Sequence, residues 1–169
     1  MYQLNFSKDI DLINWNVLYY GIEKELISPD TAIDYANKLI EKNPQEDNPY
    51  IIELLIIENA DKDNILQLLS KILSAKNPSQ DFSMLILRYA ILLNIKRKIK
   101  GNKKLLSAIE KVYADFDYPS DMESFISYMP VQDEAYDTSK HTQKENEQRL
   151  VDNFNEFLVQ KGKEITSFL

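Results

Sequence analysis

One stretch decides the fold class: Phe82-Ser-Met-Leu-Ile-Leu-Arg-Tyr-Ala-Ile-Leu-Leu93. Only Ser83 and Arg88 in it are polar, so a helix formed there is apolar on nearly every side. Such a helix requires neighbours on several sides. A second stretch of this kind, residues 50–58, follows the helix-start signal Asn48-Pro49. We expect these two stretches to form the most buried helices.

Amphipathic patterns surround both stretches. Ser28-Pro29-Asp30 provides a cap, a proline and an acid in the order of a helix start, and Ser120-Asp121-Met122-Glu123 indicates a capping box. A first helix is expected to be capped by Ser7, to carry the apolar residues through Leu18 and to end or kink near Gly21, and a long last helix is expected from about Ser139. Three glycines and six prolines leave few of the turns that sheets need. The sequence predicts an all-α fold of about seven or eight helices, either an irregular bundle or a short solenoid-like stack of antiparallel hairpins.

Length and composition favour one helical domain over residues 1–169, with an irregular segment at about 129–140 before the last helix. The chain has no cysteine, so neither disulfides nor thiolate chemistry is expected. The N-terminus lacks the pattern of a signal peptide, and no apolar run is long enough for a membrane span. We therefore expect a cytoplasmic protein that does not associate with membranes.

Residues 115–137, the acidic window, carry the net charge of −7: they hold seven Asp or Glu and no Lys or Arg. Five aromatic residues are interleaved with these acids. Carboxylates steer a basic partner and aromatic rings supply affinity, so the window is suited to binding a basic protein. The alternative is a solvated loop that is kept polar for solubility. The candidate partner-binding residues are Asp117, Tyr118, Asp121, Glu123, Tyr128, Asp133, Glu134 and Tyr136.

Catalytic and cofactor motifs are not found in the sequence. His141 is the only histidine and lies in a polar stretch, so neither an imidazole-based catalytic set nor a zinc site is expected. The glycines are too far apart to form a phosphate-binding turn. The spacing of Asp115, Asp117, Asp121 and Glu123 lacks the central glycine of a calcium loop. We expect no catalytic residue, no metal and no cofactor, and therefore no enzyme.

A basic run, residues 96–104, holds six cations in nine residues. Four of them fall on the last turn of a predicted helix, where cations complement the helix dipole. Aromatic interleaving is absent and the pI is about 4.8, so nucleic-acid binding is not expected. Pairing with the acidic window of the same or another copy stays open.

Two stretches carry a family resemblance. Asn14-Trp15-Asn16-Val17-Leu18-Tyr19-Tyr20-Gly21, followed by Leu26-Ile27-Ser28 and Ala32-Ile33-Asp34-Tyr35-Ala36, resembles the N-terminal half of a small bacterial family of unknown function. Tyr118-Pro119-Ser120-Asp121-Met122-Glu123-Ser124-Phe125-Ile126-Ser127-Tyr128-Met129-Pro130 resembles its C-terminal signature. Families of this kind are often encoded beside secreted or contact-delivered toxins. The resemblance implies an immunity role and gives no catalytic residues.

Charge and resemblance together predict a non-enzymatic protein-binding protein, most concretely an immunity protein that neutralises a bacterial toxin through an acidic and aromatic surface. The second hypothesis is a regulatory or scaffolding helical-repeat module with another protein partner. An enzyme that uses carboxylates alone is the third. The sequence leaves open the toxin and the oligomeric state.

Overall fold

The computed structural model describes residues 1–73, 79–131, 133 and 135–168. The α-helices are α1 (Phe6–Asp9), α2 (Trp15–Glu23), α3 (Asp30–Lys42), α4 (Pro49–Ile56), α5 (Lys62–Ile72), α6 (Gln80–Lys98), α7 (Asn102–Asp115) and α8 (Gln143–Phe168). Two short 3₁₀-helices span Ser120–Phe125 and Thr138–Lys140. Within the described ranges, extended pairing is limited to one isolated bridge between Tyr2 and Ile27. The predicted all-α class is confirmed.

The chain divides into two compact units, Met1–Ile91 and Leu92–Leu169, and the boundary falls within α6. In the first unit, α4 packs between α3 and α5, while α2 packs against both α3 and α5. These contacts run in a ring from α2 through α3, α4 and α5 back to α2. The contact between α2 and α5 therefore makes the first unit a closed bundle. The single domain expected over residues 1–169 stays a prediction.

The start of the first unit differs from the predicted helix between Ser7 and Leu18, and that prediction is wrong. The helix is broken into α1 and α2 because Asn14 forms a cap inside it. Its side-chain Oδ1 accepts hydrogen bonds from the backbone N–H of Asn16 at 3.0 Å and of Val17 at 3.1 Å. These bonds satisfy backbone donors that a helix start leaves open.

The two apolar stretches have different environments. In residues 82–93 the side chains of Ile86, Leu87 and Leu92 are fully buried, as predicted. Residues 50–58 were also expected to be deeply buried, and this is wrong: Ile52 is 41% exposed and Ile56 is 73% exposed. The reason is that α4 contacts α3 and α5 on two sides, and the side that carries both isoleucines faces outward.

In the second unit, α7 and the 3₁₀-helix Ser120–Phe125 both pack against α8. The Phe125 ring lies at the centre of this contact, 5.4 Å from the ring of Phe154 and 5.0 Å from the ring of Phe157. Asn153 of α8 adds a hydrogen bond from its side-chain amide to the backbone oxygen of Ser124, at 2.7 Å. The middle of the acidic window is therefore held on α8.

Helix starts in the second unit differ from the sequence prediction. The capping box at Ser120 and Glu123 is not formed, since no side chain caps the 3₁₀-helix there. A capping box occurs instead at Thr142 and Glu145, where Glu145 Oε2 accepts from the backbone N–H of Thr142 at 2.7 Å. The last helix consequently begins at Gln143 rather than near Ser139.

Candidate functional site

The site begins at the turn that follows α7. Asp117 and Tyr118 both have left-handed backbone conformations, with φ of 59° and 57°. For residues other than glycine this conformation costs roughly 1 to 2 kcal/mol each. The backbone N–H of Tyr118 donates to the carbonyl oxygen of Tyr113 at 2.9 Å, which closes the turn. As a result, the Tyr118 ring lies against the last turn of α7.

Three rings form what we call the tyrosine cluster: Tyr113, Tyr118 and Tyr128. The Tyr118 ring meets the Tyr113 ring edge-on, with 5.3 Å between centroids and an interplanar angle of 83°. The Tyr128 ring is tilted by 53° against Tyr113, with centroids 6.4 Å apart. Tyr113 is only 3% exposed, whereas Tyr118 and Tyr128 are 61% and 60% exposed. A buried ring thus supports two exposed ones.

Two half-buried carboxylates border the tyrosine cluster. The pKa of Tyr113 is raised by partial burial, then by the charge of Glu123 and by the two neighbouring tyrosines. The pKa of Tyr128 is raised by partial burial, then by the charge of Glu110 and by Tyr118. Neither glutamate forms an ion pair with Lys or Arg in the part of the chain that the structure describes. The surroundings of the cluster are therefore negatively charged.

The Tyr136 group, a second aromatic site, consists of Tyr136, His141, Asn146 and Arg149. The His141 ring stacks on the Tyr136 ring at a centroid distance of 4.4 Å and an angle of 7°. The Arg149 guanidinium lies 4.8 Å from the centre of the Tyr136 ring, and the Tyr136 hydroxyl donates to Asn146 Oδ1 at 3.0 Å. Side chains of the same chain therefore cover this tyrosine.

Carboxylates near the Tyr136 group are used in local hydrogen bonds. The pKa of Asp137 is lowered by hydrogen bonds from Ser139 and Lys140, and that of Glu145 by hydrogen bonds from Thr142. Asp137 caps the 3₁₀-helix Thr138–Lys140, and Glu145 forms the capping box with Thr142 at the start of α8. They stabilise the fold around residues 137–146 through these bonds.

A groove of about 900 Å³ lies next to both sites. Its lining includes Glu110 and Ser127, which lie near the tyrosine cluster, and Asn146 and Arg149 of the Tyr136 group. Ser127 donates to Glu110 Oε1 through its backbone N–H at 3.2 Å and through its hydroxyl. These bonds hold the groove-lining residue Ser127 against α7.

A family model for an uncharacterized protein conserved in bacteria (DUF2247) matches residues 4–162. The chain belongs to this family. The predicted resemblance to an uncharacterised bacterial family is thereby confirmed for most of the chain. No curated protein and no solved structure matches it. The match assigns no activity to this family member.

The remaining predicted residues lie outside the tyrosine cluster. Asp121 forms an ion pair with Lys161 at 3.3 Å, and Lys161 also contacts Glu164 at 2.8 Å. Asp133 Oδ1 accepts a hydrogen bond from the backbone N–H of Ala135 at 2.9 Å. Glu134 lies outside the described residues. Of the eight predicted residues, those at or next to the cluster are Asp117, Tyr118, Glu123 and Tyr128.

Sequence reasoning missed Glu110 and Tyr113, because both precede the acidic window. They are three residues apart on α7, so they lie on the same face of that helix. This spacing, together with the aromatic residues after α7, was the available signal. The contact itself depends on the left-handed turn at Asp117 and Tyr118, which no glycine marks.

In residues 1–73, 79–131, 133 and 135–168, no cluster of three or more His, Cys, Asp or Glu side chains is placed to hold a metal ion. Over the same residues, no helix combines the length and the apolar character that crossing a bilayer requires.

Proposed function

We propose that this chain is a non-enzymatic, cytoplasmic protein-binding protein, most concretely an immunity protein that neutralises a cognate bacterial toxin. The tyrosine cluster and its flanking carboxylates are the proposed binding face. One observation carries this proposal: two tyrosines about 60% exposed pack on a buried third and are flanked by Glu110 and Glu123, neither of which pairs with a Lys or Arg among the described residues.

Exposed tyrosines support a binding role because of their energetics. A tyrosine ring supplies a large contact area while only two side-chain torsions have to be fixed. Tyrosine is also among the residues most enriched at binding hot spots. Tyr118 and Tyr128 already pack on Tyr113, which lowers the conformational entropy that each ring loses on binding.

Charge supports a basic partner. All seven units of net negative charge come from the acidic window, so its field attracts a positively charged surface. A toxin that cleaves nucleic acid has to be basic where it holds the phosphate backbone. An acidic protein that covers this surface blocks the site by mimicking the charge of the substrate.

The packing of the acidic window weighs against a loop that is merely solvated. Met122 and Phe125 are fully buried, and Ile126 is only 1% exposed to solvent. These side chains anchor the window on the second unit. The adjacent tyrosines are therefore presented on a fixed support, which favours recognition over simple solubility.

A helical-repeat scaffold is the second candidate. The exposed Ile52 and Ile56 on α4 favour it, because repeat proteins use exposed helical faces for contact. The closed packing of α2 against α5 argues against an open repeat surface. We therefore place this function second.

Co-expression with the product of the neighbouring gene tests the immunity proposal. We expect the chain to form a complex with that product and to restore growth of the expressing cells. The double variant Tyr118→Ala/Tyr128→Ala should lose both effects. The matched control Ile52→Ala/Ile56→Ala removes two exposed apolar side chains from the first unit and should keep both. If the control alone loses binding, the interface lies on α4 and the proposed face is wrong.

A further inference from the structure

We infer that the tyrosine cluster, with Glu110 and Glu123, is a receptor for one arginine side chain of the partner protein. This inference rests on the proposed function and names the chemical group that the face recognises. In the bound state the guanidinium lies against the exposed rings of Tyr118 and Tyr128, and its N–H groups donate to a glutamate carboxylate.

Much of each outer ring is accessible, since Tyr118 is 61% and Tyr128 is 60% exposed. Neither Tyr118 nor Tyr128 is stacked face to face on Tyr113, since the interplanar angles are 83° and 53°. Tyr118 and Tyr128 flank the same Tyr113 ring, at centroid distances of 5.3 and 6.4 Å, and Tyr118 lies close enough to Tyr128 to raise its pKa. A cation gains energy within about 6 Å of a ring centroid.

Two other tyrosines of this chain already have a cation of their own. Arg149 lies 4.8 Å from the ring centre of Tyr136, and Lys71 lies 5.3 Å from that of Tyr50. Over the residues that the structure describes, no Lys or Arg of the chain lies on the rings of the tyrosine cluster. The cluster thus has the rings and the carboxylates of a cation site without the cation.

Arginine fits this site better than lysine for two physical reasons. Its guanidinium is planar and weakly hydrated, so it can lie flat on an aromatic ring at a low cost of desolvation. It also presents several N–H donors in one plane, which lets it contact a ring and a carboxylate together. The charge of Glu110 raises the pKa of Tyr128, and the charge of Glu123 raises that of Tyr113. A guanidinium that enters the cluster beside either ring therefore has a carboxylate nearby.

A titration of the full-length chain with a small probe tests the inference without knowledge of the partner. The probe is Nα-acetyl-arginine methylamide, and the matched control is the citrulline analogue, which has nearly the same shape and no charge. Chemical shifts of the tyrosine ring protons are followed by NMR. We expect saturable shifts at Tyr118 and Tyr128 with the arginine probe, and roughly tenfold weaker binding of the citrulline probe. Equal binding of the two probes, or shifts confined to other tyrosines, would overturn the inference.

Variants at one ring separate cation–π recognition from general apolar contact. Tyr128→Phe keeps an aromatic face and should keep probe binding within about threefold, whereas Tyr128→Leu should weaken it at least about fivefold. Unchanged binding by Tyr128→Leu contradicts the inference. If neither probe binds but the partner protein still requires Tyr118 and Tyr128, the proposed function stands and the arginine receptor is wrong. If the probe binds and the partner ignores both tyrosines, the proposed function is wrong.

Discussion

The tyrosine cluster and the Tyr136 group both contain tyrosines of the acidic window, yet they are built differently. Tyr118 and Tyr128 belong to the first and Tyr136 to the second. In the Tyr136 group, Arg149, His141 and Asn146 of the same chain contact the ring and its hydroxyl. In the tyrosine cluster, Tyr118 and Tyr128 stay about 60% exposed. The comparison teaches that composition does not distinguish a covered ring from an exposed ring, whereas the contacts of each ring do.

The largest stability difference between the two sites is expected for Tyr136→Ala. The substitution removes a ring stack, a cation–π contact and a hydrogen bond, so it should lower the free energy of unfolding by about 2 kcal/mol. Tyr136→Phe removes only the hydrogen bond and should cost about 1 kcal/mol. Tyr128→Ala should cost less than either, since that ring is mostly exposed. Urea denaturation followed by circular dichroism measures all three. An equal loss of unfolding free energy for Tyr136→Ala and Tyr128→Ala would contradict the distinction between a covered and an exposed ring.

Backbone strain at Tyr118 predicts a smaller change in stability, and here one substitution is expected to be more stable than the other. Tyr118→Gly and Tyr118→Ala both remove the ring, but only glycine adopts the observed φ of 57° without strain. We expect the glycine variant to be about 1 kcal/mol more stable than the alanine variant. The same denaturation experiment decides it. A less stable glycine variant would mean that this turn stores no strain.

Two acids of the 3₁₀-helix separate carboxylates used in the fold from those left for a partner. Asp121 is paired with Lys161, so Asp121→Asn should cost less than about 1 kcal/mol of stability and leave partner affinity unchanged. Glu123 has no paired cation in the described structure, so Glu123→Gln should weaken partner affinity by a few fold while stability changes little. Calorimetric titration with the partner checks both variants. The reverse ranking would assign binding to Asp121.

The smallest expected effects concern pH, and they have opposite directions at the two sites. The lowered pKa values of Asp137 and Glu145 mean that their stabilisation is complete above their ordinary values of 3.8 and 4.5 and is lost as pH falls through the lowered ones. The raised pKa values of Tyr113 and Tyr128 mean that their contribution is complete below the ordinary value of 10.0 and is lost as pH rises through the raised ones. NMR titration of each side chain tests this. A Tyr128 pKa below 10 would contradict the negative surroundings assigned to the cluster.

The sequence predicted the fold class and the burial of residues 82–93, because helix periodicity and a long apolar run are local signals. The sequence overestimated the burial of residues 50–58, since an apolar helix becomes fully buried only if other elements cover every side. The acidic window was visible as composition. Its division into the exposed tyrosine cluster and the covered Tyr136 group could not be predicted, because this division depends on contacts that the window makes with α7 and α8.

The kinetics of partner binding test the proposed binding face most directly. The wild-type chain, Tyr118→Ala/Tyr128→Ala and the control Tyr136→Phe are compared in surface-based binding to the partner, after circular dichroism has verified that each is folded. We predict that the double variant dissociates about 30-fold faster or more, corresponding to about 2 kcal/mol, while its association rate stays within about threefold and the control resembles wild type. A double variant that is folded and dissociates at the wild-type rate would contradict the assignment of the tyrosine cluster as the binding face.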